Sequence, residues 1–431
     1  MKPKIQGTEH EYTLYCKKMG GMGFDPHAIA LDLLRQSTLH LAGEFIKNGS
    51  RCYYDVGHFE VSTAEVTNPY DLVIWEKAGE KILDWLRKVM EEKYTTSDTR
   101  IWAFKNNTSP DGTSYGSHEN YCMSRDLKFP DRYVEGLVPH LTTRIIYTGS
   151  GDILDGKYVL SPSAYLTSRV VSGDTMHDTG VLNTRDEPHG RGVRRLHLQV
   201  GDALMNETAI LLRHFTTTAI LHLMEEGRLA DVPRLEDPIK DLWHNVEETN
   251  PEKWQITLKG GKKSTPMEIQ RYYLAKVESL IESPKEKKAF RLWEEVLEGL
   301  EKKSSKKLAR RVEWLDRWFA IKEGKETRQD AEAEMMACKQ YSEIGEDRGI
   351  FYRRQKSGLI DRVTTDEEIL HAISEPPQDT RARLRRELGD KLHVESIDWS
   401  YVVVSNGARR RIELEDPYQF EMEVEHAPEA G

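Results

Sequence analysis

The chain has 431 residues, 38% hydrophobic and 31% charged, with a formal net charge of -10. That balance disfavours nonspecific nucleic-acid binding by the molecule as a whole, and no apolar run is long enough to cross a bilayer. The opening Met-Lys-Pro-Lys-Ile-Gln lacks the apolar core of a signal peptide, and Cys16, Cys52, Cys122 and Cys338 are scattered without a Cys-x-x-Cys pair, so the expectation is a soluble cytoplasmic protein with reduced thiols.

In chain order, Gly7-Thr8-Glu9-His10-Glu11-Tyr12 alternates and predicts an extended segment with Glu9 and Glu11 on one face. A helix is expected from Pro26 to Lys47, on the spacing of Ile29, Leu33, Leu34, Leu39 and Phe45. Asn48-Gly49 is a turn signal before a second extended segment, Arg51 to Glu60, in which Arg51, Tyr53 and Asp55 share a face. A helix from Asp71 to Glu92, a strand from Ile101 to Lys105 and a turn at Ser109-Pro110-Asp111-Gly112 come next. Residues 120 to 225 mix short strands with glycine-containing loops, and a helix over about 205–226 ends at Gly227. The stretch 267–335 is helical and charged, anchored by Trp293, Leu297, Leu300, Trp314 and Trp318. Length and composition allow a large domain, residues 1–348, and a small one, 349–431. Within the latter, Glu375-Pro376-Pro377 breaks any helix, Asp398 to Ser405 predicts a strand, and the residues from Glu425 form a frayed tail. The basic run Arg381 to Arg386 reads as a solvated face.

Carboxylates and an arginine on one sheet face make poor core, because buried charge is costly unless paired or metal-bound. Oxygen-rich donors suit Mg²⁺, and arginines suit phosphate. No Gly-x-x-x-x-Gly-Lys-Ser/Thr loop is present, so a P-loop is not expected. The remaining polar clusters are Lys105-Asn106-Asn107, His118-Glu119-Asn120, Asn183 to His189, and Arg194-Arg195-Leu196-His197.

Together these clusters resemble the family of Pup ligase and its homologue the Pup deamidase/depupylase, relatives of glutamine synthetase and γ-glutamylcysteine ligase. The resemblance rests on Gly7-Thr8-Glu9-x-Glu11-Tyr12, Asn48-Gly49-x-Arg51-x-Tyr53-x-Asp55, Lys105-Asn106-Asn107-Thr108 and Ser114 to Tyr121. It continues through Asn183 to His189, Arg194 to His197, Arg348-Gly349-Ile350-Phe351, Val363 to Glu368 and Pro376-Pro377-x-x-Thr380-Arg381-Ala382. It implies an α+β, glutamine synthetase-like fold: a curved antiparallel sheet cradle backed by helices, holding ATP and Mg²⁺, with the small C-terminal domain beside it. By motif position, Glu9, Tyr53 and Glu60 are implied metal ligands, Arg51, Thr63 and Trp399 ATP contacts, and Asp55 the catalytic aspartate. His118, Arg185 and Arg195 are implied contacts to phosphate or a substrate carboxylate. The implied reaction joins the side-chain carboxylate of a C-terminal glutamate on a Pup-like modifier to target lysines.

Three readings stay open in the sequence. Only 36 residues, Thr13 to Asn48, separate the two early strands, whereas the hydrolase branch carries a long insertion there. That favours the ligase, as does the Val363 to Arg383 text. The spacing from Asp55 to Glu60, together with Gly7-Thr8-Glu9, Glu65-Val66-Thr67-Asn68-Pro69 and Gly149-Ser150-Gly151, leans to the depupylase/deamidase. Phe59, Val61 and Thr13 depart from the residues usual in the family. An inactive binding or adaptor homologue is the third reading, and retention of Glu9, Arg51, Tyr53, Asp55 and Glu60 argues against it.

Overall fold

Alternation in the first strand sets the architecture. In β1 (Gln6–Lys17), Thr8, His10, Tyr12 and Leu14 are buried, while Gly7, Glu9, Glu11 and Thr13 lie on the more open face. The computed structural model describes residues 1–17, 25–94, 100–109, 111–303, 305–325, 331–406 and 408–422. Pro110 of the predicted turn and the tail from Glu425 lie outside them.

The following strands are β2 (His40–Ala42), β3 (Phe45–Ile46), β4 (Arg51–Asp55), β5 (His58–Ser62), β6 (Arg100–Phe104) and β7 (Ser117–Ser124). A hairpin of β8 (Asp152–Leu154) and β9 (Lys157–Val159) precedes β10 (Arg169–Ser172), β11 (Gly180–Asn183) and β12 (Val193–Leu198). Among the described residues one sheet runs β10-β11-β12-β7-β1-β5-β4-β3-β2, with β6 on the far half of β1. Every pairing in it is antiparallel except β10 with β11. This is the expected antiparallel cradle.

Helices α1 (Pro26–Arg35) and α2 (Pro69–Tyr94) back the sheet on its buried side, α2 lying along β1, β6 and the helix Glu207–Glu225. The helix expected over 26–47 stops twelve residues early, at Arg35. Gln36 caps it, and Gly43, at φ +57°, turns the chain so that β2 and β3 pair instead. The strand expected at Ile101 and the helices expected near 71–92 and 205–226 are present. Trp293 and Trp314 are buried as expected, but Trp318 is only half-buried, its ring edge-on to Tyr158.

Charges are also buried behind the sheet. Glu76 of α2 receives Lys105 at 3.1 Å and Arg213 at 3.2 Å, and His10 Nε2 lies 2.9 Å from it. Glu119 accepts from Arg144 at 3.0 Å and from Tyr121 at 2.8 Å. Pairing offsets the desolvation of these groups. The network therefore divides the motifs by strand parity: Lys105 and Glu119 serve the interior, while their neighbours His118 and Asn120 face the cradle.

A short ribbon, β13 (Ile256–Thr257) and β14 (Lys263–Ser264), lies apart from a three-stranded sheet of β15 (Val394–Asp398), β16 (Tyr401–Asn406) and β17 (Ala408–Glu413). The single strand expected at Asp398 to Ser405 is thus a hairpin, with Trp399 in its turn. Leu384, Leu388, Val402, Val404 and Leu414 give this unit its own small core, whereas Phe351, Tyr352 and Ile360 pack with β1 and α2. The basic run Arg381–Arg386 is not uniformly solvated. Arg381 and Arg385 are buried and converge on Glu65, at 2.7 and 2.8 Å.

That triad has a pH consequence. Burial alone raises the Glu65 carboxyl, but Arg385 and Arg381 outweigh it and hold the group at about 2, below the ordinary 4.5. A depressed carboxyl contributes stability that is present above its ordinary value and lost as pH falls from 4.5 towards 2. The expected result is an acid-induced loss of docking of the β15–β17 unit across that window, followed by hydrogen exchange at Val402 and Val404. Glu65→Gln strands two buried guanidiniums and destabilises the neutral-pH protein by about 3–5 kcal/mol.

Candidate active site

Register fixes which side chains meet on the open face. One row runs Arg51, Ser62, Glu9, His118, and the next runs Tyr53, Glu60, Glu11. Asp55 stands opposite His58 at the end of the β4–β5 hairpin, where Val56 and Gly57 both take positive φ (+43° and +96°). Two positive-φ residues make a type I′ turn, whose twist matches the flanking strands. From the other side, β12 places His197 opposite Asn120 and Arg195 opposite Cys122.

These residues form two groups of metal-ligating type. Glu9, His118 and His197 each bring a donor atom within 4.8 Å of the others, and so do Glu11, Asp55 and Glu60. Glu9 accepts from Arg195 at 3.1 Å and lies 3.6 Å from His118 Nδ1 and 3.7 Å from His197 Nε2. Burial alone would raise its carboxyl, but His118, His197 and Arg195 hold it well below the usual range. Glu60 behaves oppositely: burial and then the Glu9 charge push it well above. Two facing carboxylates of which one cannot easily ionise are a place where a cation would relieve repulsion. Tyr53 donates to Glu60 at 2.5 Å, and burial plus the Glu60 charge keep it a neutral phenol. Glu11 is held by His58 at 2.7 Å.

Of the sequence-derived residues, Glu9, Tyr53, Asp55, Glu60, His118 and Arg195 are brought together. Arg51 adjoins them, bound to Glu44 at 2.9 Å and stacked 4.5 Å over the Tyr53 ring. Thr63 and Trp399 line a cleft open to solvent, whose wall also includes Gly7, Cys122 and Arg381. Thr63 Oγ1 accepts from the Thr8 amide at 3.1 Å. Trp399 is set by Arg385, which bonds its carbonyl at 2.9 Å and lies 5.1 Å over its ring. Arg185 stands exposed, outside the cleft lining, near enough that its charge disfavours protonation of His197.

Sequence reasoning missed His197 as a site residue. It is 5% exposed, neither ring nitrogen has a hydrogen-bond partner among the described residues, and burial pushes it down to about 3. The signal was available, since His197 lies two residues from Arg195 on a strand and so shares its face. Gly116 was also missed. Its carbonyl accepts from the Glu11 amide at 3.1 Å, and an added Cβ would come within 2.9 Å of the His118 ring and 3.0 Å of Glu11 Oε1. Gly116→Ala is therefore expected to lower turnover by about tenfold or more by displacing both side chains, with little change in melting temperature. Steady-state rates beside a thermal melt check this.

The Pup-ligase protein family model matches residues 4–403. Two relatives described as Pup--protein ligase, from Nocardioides sp. and Geodermatophilus obscurus, are each 32% identical, and each alignment spans 97% of this chain and 97% of the relative. Among solved structures, the complex between Prokaryotic Ubiquitin-like Protein Pup and its ligase PafA matches with TM-score 0.87 and 28% identity, over 98% of this chain and 90% of that one. Pup ligase PafA in complex with ADP matches with TM-score 0.79 and 27% identity, over 94% of each. On the family model and on these relatives, the chain belongs to the Pup ligase family.

Proposed function

We propose that this protein is an ATP-dependent ligase that joins the side-chain carboxylate of a C-terminal glutamate on a Pup-like modifier to lysines of target proteins. Two clusters on one sheet face carry this reading: Glu9 with His118 and His197, and Glu11 with Asp55 and Glu60, where Glu9 also lines a cleft with Thr63 and Trp399. ADP is bound by a relative of the same fold. Residues 1–348 act as the catalytic unit in this reading, and 349–431 contribute Trp399 and the Arg381 and Arg385 pair that clamps Glu65.

Amide formation from a carboxylate needs activation. The modifier's carboxylate oxygen attacks the γ-phosphorus of ATP, ADP leaves, and an acyl phosphate results. Glu9, Tyr53 and Glu60 would hold Mg²⁺, with His118 and His197 beside Glu9 as further donors, and the ion would supply charge neutralisation there. Arg51 and Arg195 orient phosphate oxygens, and His118 and Arg185 flank the same region. Asp55 takes a proton from the incoming lysine ammonium; the amine nitrogen attacks the acyl carbon, and inorganic phosphate leaves, taking up the second proton that the nitrogen sheds. Glu11, fixed by His58 and the Gly116 carbonyl, adds negative potential that draws the ammonium in.

The test incubates the protein with ATP, Mg²⁺, a Pup polypeptide ending in glutamate and a lysine-bearing protein, and separately with preformed conjugate. ATP-dependent appearance of conjugate supports the ligase. Release of free modifier from preformed conjugate, with none formed, would replace it with the hydrolase. Nucleotide binding without either reaction would indicate an adaptor.

A further inference from the structure

The catalytic face does not end at Glu11. Alternation carries it along β1 through Thr13 to Tyr15, onto an arm made by the far half of β1 and β6. There Tyr15 stands directly opposite Trp102, and Thr13 opposite Phe104. Tyr15 is 55% exposed, and its ring lies 5.6 Å from that of Trp102. Arg100, also exposed, lies 5.5 Å over the Trp102 ring. The arm thus presents two aromatics and an arginine to solvent on the same face as the acidic cluster.

We propose that this aromatic arm is the docking surface for the folded, lysine-bearing acceptor protein. The inference rests on the ligase reading above. Strand spacings place Tyr15 about 12 Å from Asp55, two strands across and one side-chain row further on. An extended lysine side chain spans about 6 Å. A folded acceptor that delivers its ammonium to Asp55 therefore keeps its own surface at the rim, where Tyr15 and Trp102 stand. The opposite end of the face is the cleft of Gly7, Thr63 and Trp399. Charge is complementary in the same sense: Glu11, Asp55 and Glu60 attract the ammonium, while the rim offers the tyrosine, tryptophan and arginine that dominate binding energy at protein interfaces.

The experiment separates chemistry from docking by changing the nucleophile. With ATP, Mg²⁺ and a Pup polypeptide ending in glutamate, hydroxylamine intercepts the acyl phosphate; its nitrogen takes the acyl group and inorganic phosphate leaves, giving a hydroxamate without any acceptor protein. The same mixtures are run with the host's folded soluble proteins as acceptors. For Tyr15→Ser/Trp102→Ser, the acceptor concentration giving half-maximal conjugation is expected to rise about tenfold or more. Hydroxamate formation and the half-saturating Pup concentration should stay within about twofold. If the double variant fails to fold, Tyr15→Glu, a change at a mostly exposed position, is expected to give the same pattern. Unchanged acceptor dependence in a folded variant overturns the proposal, as does a rise in the half-saturating Pup concentration, which would give the arm to the modifier. A wild-type protein that forms no hydroxamate overturns the ligase reading and this inference with it, whereas hydroxamate formed equally by both proteins with unchanged acceptor dependence overturns the docking role alone.

Discussion

Asp55→Asn is expected to cut conjugation to lysine by about 10²–10⁴-fold while leaving nucleotide binding intact. Asp55 is exposed at a hairpin end, so the substitution removes a base without removing buried packing. The choice of nucleophile makes the prediction specific. Lysine arrives as an ammonium and must lose a proton before it attacks; hydroxylamine is neutral near pH 7 and need not. In the variant, hydroxamate formation should fall by less than about tenfold while isopeptide formation collapses. Equal losses with both nucleophiles would move Asp55 from proton acceptor to phosphoryl-transfer geometry. Parallel single-turnover measurements with the two acceptors decide between them.

Glu9→Gln is expected to abolish Mg²⁺-dependent nucleotide turnover, by about 10²-fold or more. Glu9 belongs to the group with His118 and His197, accepts from Arg195, and its charge also acts on Glu60 in the neighbouring group. Neutralising it removes the charge that all of these groups share. It also lifts the Glu9 contribution that helps push the Glu60 carboxyl up, so Glu60 ionises more readily in the variant. The readout that isolates metal is a thermal shift with ADP. Wild type should gain stability from ADP plus Mg²⁺ beyond ADP alone, and Glu9→Gln should lose that increment. Retention of the increment would place the metal wholly in the Glu11, Asp55 and Glu60 group.

Most of the face was legible in the sequence because a strand has a period of two. Glu9 with Glu11, and Arg51 with Tyr53 and Asp55, are assigned to common faces by counting alone, and the structure places them so. The same counting, applied to Arg194-Arg195-Leu196-His197, would have added His197. What counting cannot supply is which face a strand turns inward when both faces carry charge. Lys105 and Glu119 sit in motifs as polar as those around Glu9, yet both are fully buried behind the sheet. Their role follows from Glu76, Arg213 and Arg144, which come from distant segments. Arg381 and Arg385 misled for the same reason, since their partner Glu65 lies more than three hundred residues earlier.

The sequence by itself determined the family, the antiparallel scaffold and the acidic character of its open face, because strand alternation and ordered motifs are local properties of the text. Tertiary structure alone decided the two groupings of ligands, the depressed Glu9 beside the elevated Glu60, the Gly116 approach, and the aromatic arm that extends the catalytic face. Each of these depends on cross-strand register and on which charges share a low-dielectric space, and both are set by segments that meet only when the chain has folded.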